Sequence, residues 1–512
     1  MDPTDVLIVG AGPTGLVLAL WLTRLGVPVR LIDKLPEPAT ASRAVAVQAR
    51  TLEMYRQLGI ADRVIERGRN AIAVNLWVTR RHVTRFVFGD MGAGISPYPY
   101  ALIYPQDEHE RLLIDCLRQH GVRVERGTEL VAIEEAGEEV VAQLAGADGS
   151  RASCRARFVA GCDGAHSAVR DALGIGFAGG TYEHLFYVAD VDAAGPAMNG
   201  EVHVAFDTSD FLAVFPLRDD GRARLVGTIR ERAGADGDRY SWDDVNPRVM
   251  RWMDISVSRV NWFSTYRVHH RVADRFRRGR AFLLGAAAHI HSPVGGQGMN
   301  TGIGDAVNLA WKLAAVVRRA APPAILDTYE VERIAFARRL VATTDEAFTA
   351  VTSSGPIARL LRLRIVPRLL PLFFATKAGR RLAFRTVSQT AINYRHSALS
   401  EGRAGAVRGG DRLPWIPRER DDAQDNFAPL ESLEWQVHVY GRAAPGVRTL
   451  CAARGVRLHE FAFTPSARRA RFRQDALYLV RPDGYLAFVD ERQDAASLAS
   501  YLDARRIGVA PK

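Results

Sequence analysis

Three turns in this chain gather the residues best suited to chemistry. Residues 293–300 read PVGGQGMN and lead into Ile303, Ala306, Val307, Ala310, Trp311, Ala314 and Val317, the three-and-four spacing of one buried helix face. With so little side-chain bulk before it, that helix opens its backbone N–H groups at the positive end of its dipole. Such a site suits an anion, or a ring that becomes negative during turnover. Residues 10–15 read GAGPTG. Gly10 allows a tight turn, Gly12 lets backbone approach a pyrophosphate, and Gly15 lets a helix pack closely on a strand. Asp33, closing the next strand-like run, falls where a carboxylate accepts ribose hydroxyls, so the unit predicts a dinucleotide site. The third turn, Asp163-Gly164, follows the apolar run 158–162 and precedes Ser167-Ala168-Val169-Arg170, delivering one carboxylate on a flexible backbone.

The elements that hold these turns follow from periodicity. Residues 5–9, 29–32 and 281–284 read as short buried strands, and 13–25 as a helix. Pro105-Gln106-Asp107 opens a helix through Gln119 with Asp107 as its predicted N-cap. Residues 122–158 read as an antiparallel meander with strands at 129–133, 140–144 and 151–155. Runs at 75–88, 201–206, 211–216 and 224–229 suggest a second sheet that floors a pocket, with no acid or base identifiable on it. Of Phe206, Phe211 and Phe215, two are expected in the core. His289 and His291 have no carboxylate nearby in sequence and read as packing or backbone-bonding residues rather than a metal pair. Residues 354–389, Arg-rich and apolar at helical spacing, read as a helical connector packed on the main domain in preference to a membrane-surface element. From about residue 402 come Pro-rich loops, strands at 436–441, 476–480 and 484–489, and a helix at 495–505.

These three turns, in their order along the chain, resemble the motifs of group A flavin-dependent aromatic hydroxylases, the para-hydroxybenzoate hydroxylase-like family. The likeness is to the branch that modifies phenols, polyketides and antibiotics. It implies an α/β fold: a Rossmann-like FAD-binding domain (1–74, 100–175, 279–350) with an inserted β-sheet substrate domain (75–99, 176–278). A connector (351–401) and a C-terminal thioredoxin-like domain (402–512) would follow; "LVRPDGYLAF" at 479–488 carries that last resemblance, without a redox CxxC. The family's cofactor contacts map onto Gly10, Gly12, Pro13, Thr14, Gly15, Asp33, Lys34, Arg43, Gln106, Asp163, Gly164, Ala286, Pro293, Gly295, Gly298, Met299 and Asn300. The substrate pocket would include His203, Phe215 and Pro293, and no catalytic side chain is assigned. The implied reaction takes hydride from NADPH (NADH being possible) to FAD, forms a flavin C4a-hydroperoxide with O₂, and hydroxylates an aromatic or polyketide-like small molecule. Baeyer–Villiger-type oxygen insertion on the same scaffold and a catalytically silent flavin-binding protein are the alternatives. One departure stands out: Ala286 occupies the position of the family's aspartate, which bonds the ribityl chain.

Composition narrows the field. The 512 residues carry a net charge of +11, but the arginines are scattered and no nucleic-acid module is present, so the surplus suits NADPH or an acidic substrate better. No apolar run reaches membrane-spanning length, and the N-terminus lacks the marks of a signal peptide. Cys116, Cys154, Cys162 and Cys451 are too dispersed for a metal site and read as reduced packing residues of a cytoplasmic protein. Oligomeric state is unreadable from the sequence.

Overall fold

The computed structural model describes residues 4–38, 44–207, 210–229, 240–292, 296–352, 364–418 and 424–507. Strands Thr4–Val9, Val29–Asp33, Val124–Arg126, Arg151–Gly161 and Ala281–Leu283 form a parallel array in which Thr4–Val9 lies between Val29–Asp33 and Arg151–Gly161. Helix Pro13–Arg24 is apolar all round, and residues 15–22 are fully enclosed between the sheet and helix Gly298–Val317. Strands Thr128–Ala136 and Glu139–Gly146 complete the expected meander. Helix Gln106–Gln119 begins two residues earlier than an Asp107 cap would place it. Pro105 is its N-cap, and Asp107 sits in the first turn, where it complements the dipole without capping.

The second sheet has eight strands in the order His289–Ile290, Ser256–Ala273, Phe177–Ala194, Arg222–Ile229, Phe211–Pro216, Val202–Phe206, Ala73–Val78 and Arg81–Val87. Its neighbours are antiparallel except Val202–Phe206 and Ala73–Val78, which run parallel. Phe177–Ala194 is a long strand that was not among the runs expected from the sequence. A third sheet, of six strands, holds Gln436–Tyr440, Leu477–Val480 and Leu486–Asp490, packed against helices Pro445–Arg454 and Ala495–Arg505.

The C-terminal sheet is bolted to helices Gly298–Val317 and Asp327–Thr352 through a buried ionic cluster. Arg481, on the turn between Leu477–Val480 and Leu486–Asp490, donates to both oxygens of Glu332 (2.7 and 3.0 Å) and both of Asp483 (3.0 and 2.6 Å). Lys312 donates to Glu332 at 2.8 Å, and Trp311 Nε1 to Asp483 at 3.1 Å. Lys312 and Trp311 both lie on Gly298–Val317, so the C-terminal unit grips the same helix whose N-terminus was singled out above.

Candidate functional site

The glycines of the first turn do three different things. Gly10 has φ +102°, and a Cβ there would fall 2.4 Å from Cys162 O; a Cβ on Gly15 would fall 2.0 Å from Gly10 O. Those two positions are closed by backbone. A Cβ on Gly12 would meet no protein atom within 4 Å, so this glycine borders open space at the start of Pro13–Arg24. Pro13 stands where a missing N–H costs nothing. Thr14 Oγ1 lies against Gly285 and Gly302, where added Cβ atoms would come within 2.6 and 2.3 Å. The N-terminal turns of Pro13–Arg24 and Gly298–Val317 therefore lie side by side.

Asp33 accepts the Ala11 N–H at Oδ2 (2.7 Å) and the Leu35 N–H at Oδ1 (2.8 Å), which holds the glycine turn against the strand end. Arg126 Nη1 stands 3.7 Å from the same carboxylate, while Lys34 is exposed. Gln106 grips Ala44: its side-chain oxygen accepts the Ala44 N–H (3.3 Å), and its own N–H donates to Ala44 O (3.1 Å). Its Nε2 donates to Glu110 at 2.8 Å, and burial pushes the Glu110 carboxyl up to about 7. Arg43, Pro293 and Gly295 lie outside the described residues.

Asp163 turns its oxygens to the chain that follows. Oδ1 accepts from Ser167 Oγ (2.6 Å) and Oδ2 from the Val169 N–H (3.1 Å), so with Ser167 it caps the short helix Ala168–Ala172. Burial raises its pKa. Gly164 has φ +81° with open space around it, and Asp163 Cα abuts the Gly10 position, which sets the first and third turns back to back.

In the remaining turn, Ala286 is exposed while Leu284, Gly285, Ala287 and Ala288 are buried, so its methyl group faces outward from a closed backbone. Gly298 is exposed and Met299 half-buried. The Asn300 side chain is fully committed: Oδ1 accepts from Gln48 N–H (2.9 Å) and Thr51 Oγ (2.7 Å), and Nδ2 donates to Ala46 O (2.9 Å) and Gly296 O (2.8 Å). Asn300 thus anchors the helix start, leaving backbone N–H groups of the first turn for a ligand. The sequence reading of the histidines needs one correction. His289 does have a carboxylate partner, Asp305 at 2.7 Å, which also accepts the Gly285 N–H (3.0 Å) and pairs with Arg333. Asp305 lies farther along on the helix, out of reach of a local reading. His291 bonds the Ser292 carbonyl.

On the second sheet, Phe215 joins Phe211, Trp262 and Tyr266 on one face, around Val188, Ala213 and Val226. His203 does not join them. It sits on the opposite face, where Nδ1 accepts from Trp77 Nε1 (3.0 Å) and Nε2 faces Asn199 Oδ1 (2.9 Å), and burial lowers its pKa to about 4. The sequence reading missed Arg224 and Asp190. They form a two-pronged ion pair (2.7 Å twice) on the Phe215 side, and Arg224 Nη1 donates to Ala44 O at 3.2 Å. A charged residue opening the apolar run 224–229 was the available signal for Arg224, whereas Asp190 lies where no strand was expected.

The chain from residue 3 to residue 344 matches the model of a protein family described as an FAD binding domain. The 6-methylpretetramide 4-monooxygenase of Streptomyces rimosus is 34% identical, over 98% of this chain and 94% of its own length. The chain belongs to this family of FAD-dependent monooxygenases. Two solved structures agree over the full length of both chains at 27% identity and a TM-score of 0.77: the anhydrotetracycline hydroxylase OxyS from Streptomyces rimosus, and CabE, an aromatic hydroxylase from angucycline biosynthesis. The monooxygenase is therefore an oxidoreductase with a Rossmann-like FAD domain. Its own residues fit the cofactor: the space beside Gly12, the adjoining helix N-termini, the Asp33 carboxylate and the outward-facing Ala286 line one continuous set of turns.

Proposed function

We propose that this monooxygenase uses NADPH and O₂ to hydroxylate a multi-ring aromatic, polyketide-like small molecule. The observation that carries the substrate class is the aromatic face of the second sheet, where Phe211, Phe215, Trp262 and Tyr266 gather around aliphatic residues. When bound, FAD supplies the redox chemistry, taking reducing equivalents from NADPH and activating O₂ to place one oxygen atom on an electron-rich carbon.

The chain supplies position and electrostatics. Gly12 and the first turn of Pro13–Arg24 would take the pyrophosphate, and Asp33 the ribose of the adenosine half. The first-turn N–H groups of Gly298, Met299 and Asn300 would stabilise negative charge on the reduced ring. Gly164, Lys34, Arg43, Pro293 and Gly295 complete the proposed cofactor shell. Gln106 and Asp163 would act by holding backbone, since their side chains bond Ala44, Ser167 and Val169. Arg224, paired to Asp190 and bonded to Ala44, would hold the substrate sheet in register with the cofactor turns.

The domain reading belongs to the same proposal. It has an FAD domain in three segments, an inserted substrate domain, a connector, and a C-terminal thioredoxin-like unit without exchangeable cysteines. Four buried free cysteines support a cytoplasmic setting. Among the described residues no helix is long and apolar enough to cross a membrane.

The test is NADPH oxidation by the FAD-loaded protein across a panel of phenolic and polycyclic aromatic compounds, with product mass recorded. Flavin reduction accelerated by a compound that emerges one oxygen heavier supports the reading. Product identical to the compound supplied, at any rate of NADPH consumption and across the whole panel, defeats it.

A further inference from the structure

The arginines are scattered along the whole chain, but their excess over Asp and Glu falls mostly in one stretch of the sequence. Residues 347–400 contain nine Lys or Arg and no Asp or Glu, so they carry +9 of the overall +11. Within that stretch, helices Val366–Ala375 and Lys377–Val387 form a hairpin. The same hairpin holds most of the exposed apolar bulk. Ile365, Leu369, Leu372, Phe373 and Leu382 are between 37% and 66% exposed, against four scattered large apolar residues elsewhere among those described. Residues 365, 369, 372 and 373 fall at i, i+4, i+7 and i+8, one continuous stripe along a helix.

The hairpin has a buried side as well. Phe374 packs on Phe86 with ring centroids 3.7 Å apart, and Phe384 is buried in the cluster that includes Phe215. The outward stripe is therefore an excess of apolar surface beyond what fixes the hairpin to the substrate sheet. Exposed Arg364, Arg368 and Lys377 and half-buried Arg381 border it, and none of the four makes an ion pair among the described residues.

We propose that this hairpin is a docking surface for an anionic lipid bilayer. A bilayer answers both halves of the pattern. Its acyl boundary takes the Leu369, Leu372 and Phe373 side chains, and its anionic headgroups take the flanking cations, the arrangement of an interfacial amphipathic helix. Charge complementarity selects this occupant. A second copy of this chain would bring the same positive stripe against itself, with no acidic residue in 347–400 to neutralise it. Docking places the Phe215 cluster just behind the bilayer surface, where apolar aromatic compounds concentrate; that consequence rests on the reaction proposed above, while the docking itself does not.

The test is flotation of the FAD-loaded full chain with phosphatidylcholine vesicles, with and without phosphatidylglycerol. Binding to the anionic vesicles alone, weakened by salt, is expected. It should fall by at least about tenfold in Leu369→Asn/Leu372→Asn/Phe373→Ser and, separately, in Arg364→Gln/Arg368→Gln/Lys377→Gln. All of these residues are exposed, and a circular dichroism melt checks that both variants fold. Absence of wild-type flotation with anionic vesicles at low salt overturns the proposal. So does equal flotation of both variants, or an apolar-stripe variant that changes a dimer to a monomer while vesicle binding is absent. No substrate or turnover enters the measurement, so it can fail while the monooxygenase reading stands, and the reverse.

Discussion

Thr14 and Gly302 touch across the two helices that open on the cofactor turns, and a Cβ on Gly302 would lie 2.3 Å from Thr14 Oγ1 and 3.0 Å from Gly285 Cα. The close approach brings two N-termini to one place, and it depends on the absence of a side chain. Gly302→Ala should therefore lower the thermal midpoint and weaken FAD binding together, at a cost of about 1–3 kcal/mol for overpacking. Adding Thr14→Ala removes the clashing hydroxyl and should recover part of the midpoint. A double variant no more stable than Gly302→Ala alone would show that the Gly285 backbone, rather than Thr14, sets the limit.

Gly12 makes the opposite prediction. Its φ of −76° suits any residue, and no protein atom lies within 4 Å of the position a Cβ would take. Gly12→Ala should leave the unfolding midpoint of the FAD-free protein unchanged while FAD affinity falls by an order of magnitude or more, because the methyl group occupies the approach to a pyrophosphate. A drop in apo-protein stability equal to the loss in affinity would assign Gly12 to packing.

How much of this was readable in advance depended on sequence distance. The strand–turn–helix 4–24 and Asp33 are local patterns, so periodicity and glycine spacing placed them within a residue or two; the motif helix begins at Gly298, three residues inside the stretch read as its leading loop. Helix Ala495–Arg505 was also bounded correctly, because Asp494 caps it through its own next turn. Partnerships across long intervals were not readable. Asn300 suggested a ligand contact from its place in the motif, yet apart from one bond to Gly296 O its side chain is spent on residues 46–51, some 250 positions away. His203 suggested a pocket residue, but which face of a strand it takes depends on the sheet around it. Arg224–Asp190 and the Arg481 cluster likewise join segments that nothing local connects.

Arg481 is the clearest of these for stability. It is fully buried, and its removal would leave Asp483 without its ion-pair partner and Glu332 with Lys312 alone, a deficit worth about 3–5 kcal/mol. Arg481→Met should lower the thermal midpoint by several degrees and expose the turn 481–484 to protease. Because Trp311 bonds Asp483, its fluorescence should also shift before global unfolding. Unfolding indistinguishable from wild type would mean that the apolar side chain replaces the cluster without loss.

Glu110 gives a pH dependence of known sign. Its ordinary value is 4.5 and burial raises it to about 7 in the fold. Between those values the native state holds a proton that the unfolded chain has released, so stability falls as pH rises through the window and levels off above it. Glu110→Gln keeps an acceptor for Gln106 Nε2 without the charge. It should match wild type near pH 4.5 and exceed it at pH 8 by about 3 kcal/mol, seen as diverging melting curves. Parallel curves across the window would place the titration elsewhere.

Ala286 stands where the resemblance drawn from the sequence leads one to expect an aspartate, and its surroundings make that expectation testable. The methyl group is exposed on a turn whose backbone is otherwise closed, and the Gly285 N–H beneath it is held by Asp305, so a larger side chain has room without disturbing the fold. Ala286→Asp adds an ionised acceptor facing the space beside the cofactor turns. A charge-assisted hydrogen bond contributes about 1.5–3 kcal/mol, which corresponds to a ten- to hundredfold gain in FAD affinity. Titrating the apo-protein with FAD and following the quenching of flavin fluorescence measures it directly. An unchanged dissociation constant would mean that position 286 does not reach the cofactor in this protein, and that retention rests on Gly12, Asp33 and the helix N-termini alone.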